Sequence, residues 1–255
     1  MAKQNTSTKK EPLLPVSIEG GRSRSGSRVG RCASILLLTM PLIACSLILG
    51  TLYLLVYKMN ISIRDISISG ALADYEPTWQ IILLLCTGAF ASFVVTISRS
   101  IQIGVYHRRN NSAFRGLRLL NFVAAVTNIL AYAGFIILAI YPIDGENKDY
   151  HMFGAYMYFG LMGLYCFFHI ILLWKQRQYS MFSKIIMTIV PTASVICSVI
   201  FAIQQNEGYQ YEWFAVALAA LFIGLFVILF GTDRCDDELA EFFCCRKKGP
   251  TITDL

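Results

Sequence analysis

The sequence predicts an all-α integral membrane protein, a six-helix bundle with both termini in the cytosol. Three observations carry that expectation. Six apolar runs lie at about 34–57, 79–97, 119–141, 152–174, 185–203 and 213–231, each close to the ~20 residues that a helix needs to cross ~30 Å of hydrocarbon. The composition is 56% hydrophobic and 15% charged, against about 25% charged in ordinary soluble domains. Basic residues gather on alternate connections, with Arg108, Arg109, Arg115 and Arg118 on one side and acids such as Asp65, Asp74, Asp144 and Glu207 on the other. The runs are apolar all round rather than one-faced, and in lipid the backbone satisfies its own hydrogen bonds only as helix or closed barrel.

The charge split orients the chain. Lys9, Lys10, Arg22, Arg24, Arg28 and Arg31 lie before the first run, and Lys175, Arg177, Lys184, Arg246, Lys247 and Lys248 share their side. The positive-inside rule places that side in the cytosol. Three segments follow: a basic, disordered cytosolic tail at 1–31, a membrane domain at 32–232 and a second cytosolic tail at 233–255. The net charge of +6 reads as a topology signal, so no nucleic-acid partner is expected.

Taken in order, the first run follows about thirty polar residues and is too long for the core of a cleaved signal peptide, so it acts as its own anchor. Pro41 within it, like Pro191 in the fifth run, bends its helix locally. The first outer loop, Lys58 to Thr78, alternates at Ile61, Ile63, Ile66 and Ile68, which suggests a short strand or interfacial segment. Asn60 opens a glycosylation sequon there, but it lies only just beyond Tyr57 and poor modification is expected. Arg99 follows the second run and is expected to snorkel to lipid phosphates, with His107 in the loop beyond. In the third run Asn121 and Asn128 share a face with Ala124, Ala125 and Ala131. Such a stripe packs against a neighbouring helix or, alternatively, lines a groove for a ligand or lipid. Tyr75, Trp79, Tyr141, Tyr150, Tyr209, Tyr211 and Trp213 mark the outer interface, and Trp174 and Tyr179 the inner one.

No catalytic chemistry emerges. The chain has no GxSxG elbow, P-loop, GxGxxG, CxxC or HExxH, so no catalytic residue, metal or cofactor is expected. His151 and His169 lie at opposite ends of the fourth run, ~27 Å apart at ~1.5 Å per residue, and cannot share an ion. The cluster of Asp144, Glu146, Asp149 and His151 reads as a solvated loop, with acid–base work on a lipid headgroup as the alternative. The eight cysteines avoid the outer loops, which argues against a disulfide framework. Cys244 and Cys245 sit between Phe242-Phe243 and Arg246-Lys247-Lys248, a setting suited to S-acylation at the inner leaflet. Thr253-Asp254-Leu255 ends the chain in the pattern that a cytosolic PDZ scaffold reads. Membrane lipids are the other expected partners, and no feature sets an oligomeric state.

From Leu119 onward the sequence resembles a known family. Leu120-Asn121 opens the third run, an acidic outer loop follows, then His151-Met152-Phe153-Gly154-Ala155, Phe159-Gly160 and Leu164-Tyr165. This is similar to the HxxGA…FG…LY stretch of the damage-regulated autophagy modulators, whose wider family includes FRAG/SFK-type proteins and Golgi GPI-lipid remodelling factors. Ile66-Ser67-Ile68-Ser69-Gly70 followed by Glu76-Pro77 resembles the family's loop before the second span. The resemblance implies a non-enzymatic regulator of membrane trafficking, autophagy or lipid organisation in endolysosomal or plasma membranes. A lipid-remodelling factor of Golgi or endoplasmic reticulum is one alternative, and a channel or transporter subunit another. It marks Asn121, His151, Gly154 and Ala155 as family-like positions, with His151 a structural or headgroup-contacting group at the outer interface.

Overall fold

Each of the six apolar runs is a helix in the computed structural model, which describes residues 26–74, 78–109, 115–141, 143, 148–204 and 208–231. The order is α1 (Gly26–Met59), α2 (Ile68–Asp74), α3 (Thr78–Arg109), α4 (Arg115–Ile140), α5 (Lys148–Lys175), α6 (Met181–Gln204), α7 (Tyr209–Gly224) and α8 (Phe226–Gly231). Leu225 is right-handed helical and its N–H bonds to the Leu221 carbonyl at 2.9 Å, so α7 and α8 form one slightly irregular sixth span. The protein is an integral multi-pass membrane protein.

The long helices pack in chain order, α1 on α3, α3 on α4, α4 on α5, α5 on α6 and α6 on α7. A further α1–α7 contact closes the order into a ring. Short connections make consecutive helices antiparallel neighbours; closure is decided by packing. Gly224 lies against α1, where a Cβ would stand 2.9 Å from Cys45 Cβ. α6 buries a single stripe, Ser183, Met187, Pro191 and Ser194, at helical spacing. Ser194 donates from its hydroxyl to the Ala215 carbonyl at 2.8 Å, which ties α6 to α7. The outward faces keep Phe90, Tyr156, Phe182 and Ile203 exposed, as lipid-facing positions require.

The closest approach is between α4 and α5. A Cβ on Gly134 would lie 2.6 Å from Met157 Cβ and 2.9 Å from the Gly154 carbonyl oxygen. One on Gly154 would lie 2.7 Å from the Leu138 nitrogen and 2.9 Å from the Gly134 oxygen. Only glycine at both positions lets these backbones meet, as small residues do in membrane helix pairs.

Two expectations are corrected. Among its described residues the first outer loop contains no strand; Ile68–Asp74 is a short helix whose Ile68, Ser69, Ala71 and Leu72 are buried, so its apolar residues face the bundle. The second apolar run ends at Ile97, but its helix does not. α3 continues to Arg109 because Ser98, Arg99, Gln102 and His107 are buried among other helices. His107 consequently belongs to α3 and not to a loop. Trp213 is buried, and its indole N–H bonds to the Ile66 carbonyl at 2.9 Å. It therefore holds the first loop to the bundle.

Candidate functional site

The concentration of buried polar groups lies at the basic end of the bundle. Arg99 on α3 is 1% exposed. Its Nη1 donates to Gln102 Oε1 and, at 2.7 Å, to the Tyr179 hydroxyl; its Nη2 donates to Gln176 Oε1 at 3.1 Å; its Nε points at His169 Nε2 at 3.4 Å. The guanidinium carbon also stands 5.1 Å from the centroid of the Tyr179 ring. Three segments build this cluster: α3 gives Arg99 and Gln102, α5 gives His169, and the turn between α5 and α6 gives Gln176 and Tyr179. Gln102 reaches the Leu229 carbonyl of α8 at 3.5 Å, and His169 stacks on Phe226 of α8. The Arg177 N–H bonds to the Tyr106 hydroxyl at 3.1 Å, which holds the turn down on α3.

The expected snorkelling of Arg99 is overturned. Its side chain turns into the bundle because neutral acceptors converge there from α3, α5 and the turn. Tyr179 is likewise a buried member of the cluster. The step from Trp79 to Arg99 at ~1.5 Å per residue is ~30 Å, one hydrocarbon thickness. Arg99 therefore lies about one hydrocarbon thickness along α3 from Trp79, with about ten residues of the helix beyond it.

A second polar latch closes the acidic end. Glu212, in the first turn of α7, is 2% exposed. Its carboxylate accepts from the Ile68 N–H at 3.1 Å and from the Ser69 hydroxyl at 3.1 Å. An acid at the start of the last apolar run, it is an internal acceptor that fixes the start of α2. Beside it runs an apolar crevice lined by Leu52, Leu72, Leu85, Phe135 and Val216, with a cavity of only about 10 Å³, room for about one water.

The family-like residues do not form one site. Asn121 is half-buried and its Nδ2 donates to the Ser100 carbonyl at 2.9 Å, pinning α4 to α3. Asn128, on the same face, is fully buried and neither of its amide atoms has a hydrogen-bond partner. His151 is 2% exposed; its Nδ1–H bonds to the Tyr141 carbonyl at 2.7 Å and clips the start of α5 to the end of α4. Gly154 forms the α4–α5 crossing, and Ala155 beside it is half-buried. His151 thus lies inward of the exposed Asp149, while Asp144 and Glu146 lie outside the described residues. Asn60 is exposed with φ of 50°, and the following Ile61 N–H reaches back to the Val56 carbonyl at 3.4 Å. That is the left-handed cap that ends a helix and that asparagine tolerates. Cys244, Cys245, Thr253, Asp254 and Leu255 lie outside the described residues. Among the described residues no group of His, Cys, Asp and Glu converges in a metal-holding arrangement.

Gln102, His169, Gln176 and Glu212 were missed as site residues by sequence reasoning. The available signal was a polar side chain at the edge of an apolar run, which reads equally as interface decoration.

No curated protein and no solved structure is matched by this chain. The profile of one family, described as the Frag1/DRAM/Sfk1/Cwh43P N-terminal domain, matches residues 32–233, which spans all six membrane helices and both polar latches. The chain belongs to the Frag1/DRAM/Sfk1/Cwh43P N-terminal domain family.

Proposed function

We propose that this protein is a non-enzymatic member of its family that regulates membrane trafficking, autophagy or lipid organisation by contact with lipids and proteins. The family match over the whole membrane domain carries the reading. The packing supports it: the Glu212 latch is spent on holding segments together, and the cavities beside Glu212 and between α5, α6 and α7 are about 10 Å³ each. Broad apolar outer faces supply the contact surface. Residence in endolysosomal or plasma membranes is part of the proposal.

The test is acute depletion with re-expression. Autophagic flux or the leaflet distribution of a labelled phospholipid changes on depletion and returns with the wild-type chain. Complete depletion that alters neither overturns the proposal. Conversion of a labelled lipid by purified protein, lost in His151→Ala, replaces it with a remodelling enzyme.

The second tail contributes two contacts. Cys244 and Cys245 carry acyl chains that dock it on the inner leaflet, and Thr253-Asp254-Leu255 binds a cytosolic PDZ scaffold. Acyl-exchange labelling that is identical in wild type and a Cys244→Ser, Cys245→Ser variant removes the first. A C-terminal peptide that binds a PDZ array no better than its Leu255→Asp version removes the second.

A further inference from the structure

Arg99 is a full positive charge taken inside the protein. Its acceptors, Gln102, Gln176, Tyr179 and His169, are neutral. No carboxylate among the described residues is bonded to it. Neutral acceptors satisfy N–H groups but, among the described residues, leave the charge uncompensated, and desolvating an unpaired ion costs several kcal/mol. The surroundings add donors. Gln176 is fully buried and its Nε2 has no hydrogen-bond partner. His169 accepts from Arg99 on Nε2, so it takes a share of the guanidinium's donors, while its own Nδ1 lies on the far side of the ring. Charge and surplus donors together call for an anion with several acceptor oxygens. Phosphate meets a guanidinium fork with matching geometry.

Position selects the source of that phosphate. Arg99 lies ~30 Å along α3 from Trp79, at the hydrocarbon boundary where lipid phosphates sit. The cover over it is short. Gln176 and Tyr179 both belong to the turn between α5 and α6, whose Lys175 and Arg177 are exposed and attract anionic headgroups. We propose that Arg99, with Gln176 beside it, is a binding site for the phosphate group of an anionic phospholipid. In the unliganded state the Tyr179 hydroxyl and the Gln176 carbonyl stand in for phosphate oxygens. When a headgroup enters, Tyr179 turns aside and Gln176 presents its amide nitrogen instead. The inference rests on the proposed lipid role only in choosing a lipid as the carrier of the phosphate.

The experiment uses the full chain purified in detergent, offered an equal mixture of phosphatidylcholine and phosphatidic acid, with retained lipid read by native mass spectrometry. Wild type retains phosphatidic acid over phosphatidylcholine, and Arg99→Gln lowers that preference by ~10-fold or more. Equal preference in the two proteins, both folded by circular dichroism, overturns the site. Tyr179→Phe keeps the ring and removes the hydroxyl that occupies Arg99, so it retains several-fold more phosphatidic acid than wild type. A purely structural cluster predicts the reverse, a lower melting temperature with no gain in lipid, and that result also overturns the proposal even where Arg99→Gln fails to fold. Inorganic phosphate forms a parallel arm. If it raises the melting temperature of wild type, and more so of Tyr179→Phe, but not of Arg99→Gln, and displaces the lipid, a soluble anion replaces the phospholipid and the proposal as stated fails. Loss of the site on any of these grounds leaves the depletion phenotype standing, so the two readings fail separately.

Discussion

At the scale of single residues, the buried polar groups act as latches between segments distant in sequence. Glu212 bonds to Ile68 and Ser69, more than a hundred residues earlier. Deleting its carboxylate leaves a buried N–H and a buried hydroxyl without their acceptor, which costs about 1–3 kcal/mol. Glu212→Leu is therefore expected to lower the melting temperature in detergent clearly, and Glu212→Gln, which keeps one carbonyl oxygen, to lower it less. An unchanged melting temperature in Glu212→Leu removes the latch. The role was not legible in the sequence, since an acid at the foot of the last run looks like a solvated loop residue until Ile68 and Ser69 are brought to it.

At the scale of elements, the α4–α5 hairpin is held by a pair of glycines. Gly154 was legible as a family-like position, but its contact was not, because Gly134 lies twenty residues away on the preceding helix. Gly154→Val forces the helices apart against backbone atoms and is expected to cost about 1–3 kcal/mol. Gly160 supplies the control: no heavy atom lies within 4 Å of a Cβ there, so Gly160→Val is expected to change little. Thermal melts of the two variants decide; equal effects refute a crossing specific to Gly154. The length of α3 belongs to the same scale. Its apolar run ends at Ile97, yet the helix runs to Arg109, because tertiary neighbours receive Arg99 and Gln102 that periodicity assigns to an interface.

At the scale of the whole molecule, the charge split predicts that both tails are cytosolic and that Asp65–Glu76 faces the lumen or exterior. Tags at residues 1 and 255 are expected to survive protease added to sealed cells, while a site inserted near Asp65 is cut in protein at the cell surface or in permeabilised organelles. Digestion of either terminal tag from outside sinks this topology. The ring of helices gives the orientation a consequence. If the basic end is cytosolic, the Arg99 cluster faces the inner leaflet and the Glu212 latch the outer one.

The number of spans, their helical state and their approximate bounds were determined by the sequence alone. Hydrocarbon leaves a twenty-residue apolar segment few other conformations. The family was legible as well, from Leu120-Asn121 and the stretch around His151 and Gly154. Tertiary structure decided the rest. Closure of the ring through α1 and α7, the seating of Gly134 on Gly154, and the inward turn of Arg99 and Glu212 depend on which helix faces meet. Lipid solvates an apolar face as well as a protein neighbour does, so hydrophobicity carries no information about facing. Packing, backbone approach and the satisfaction of buried polar groups choose the partners, and those are properties of pairs of residues far apart in the chain.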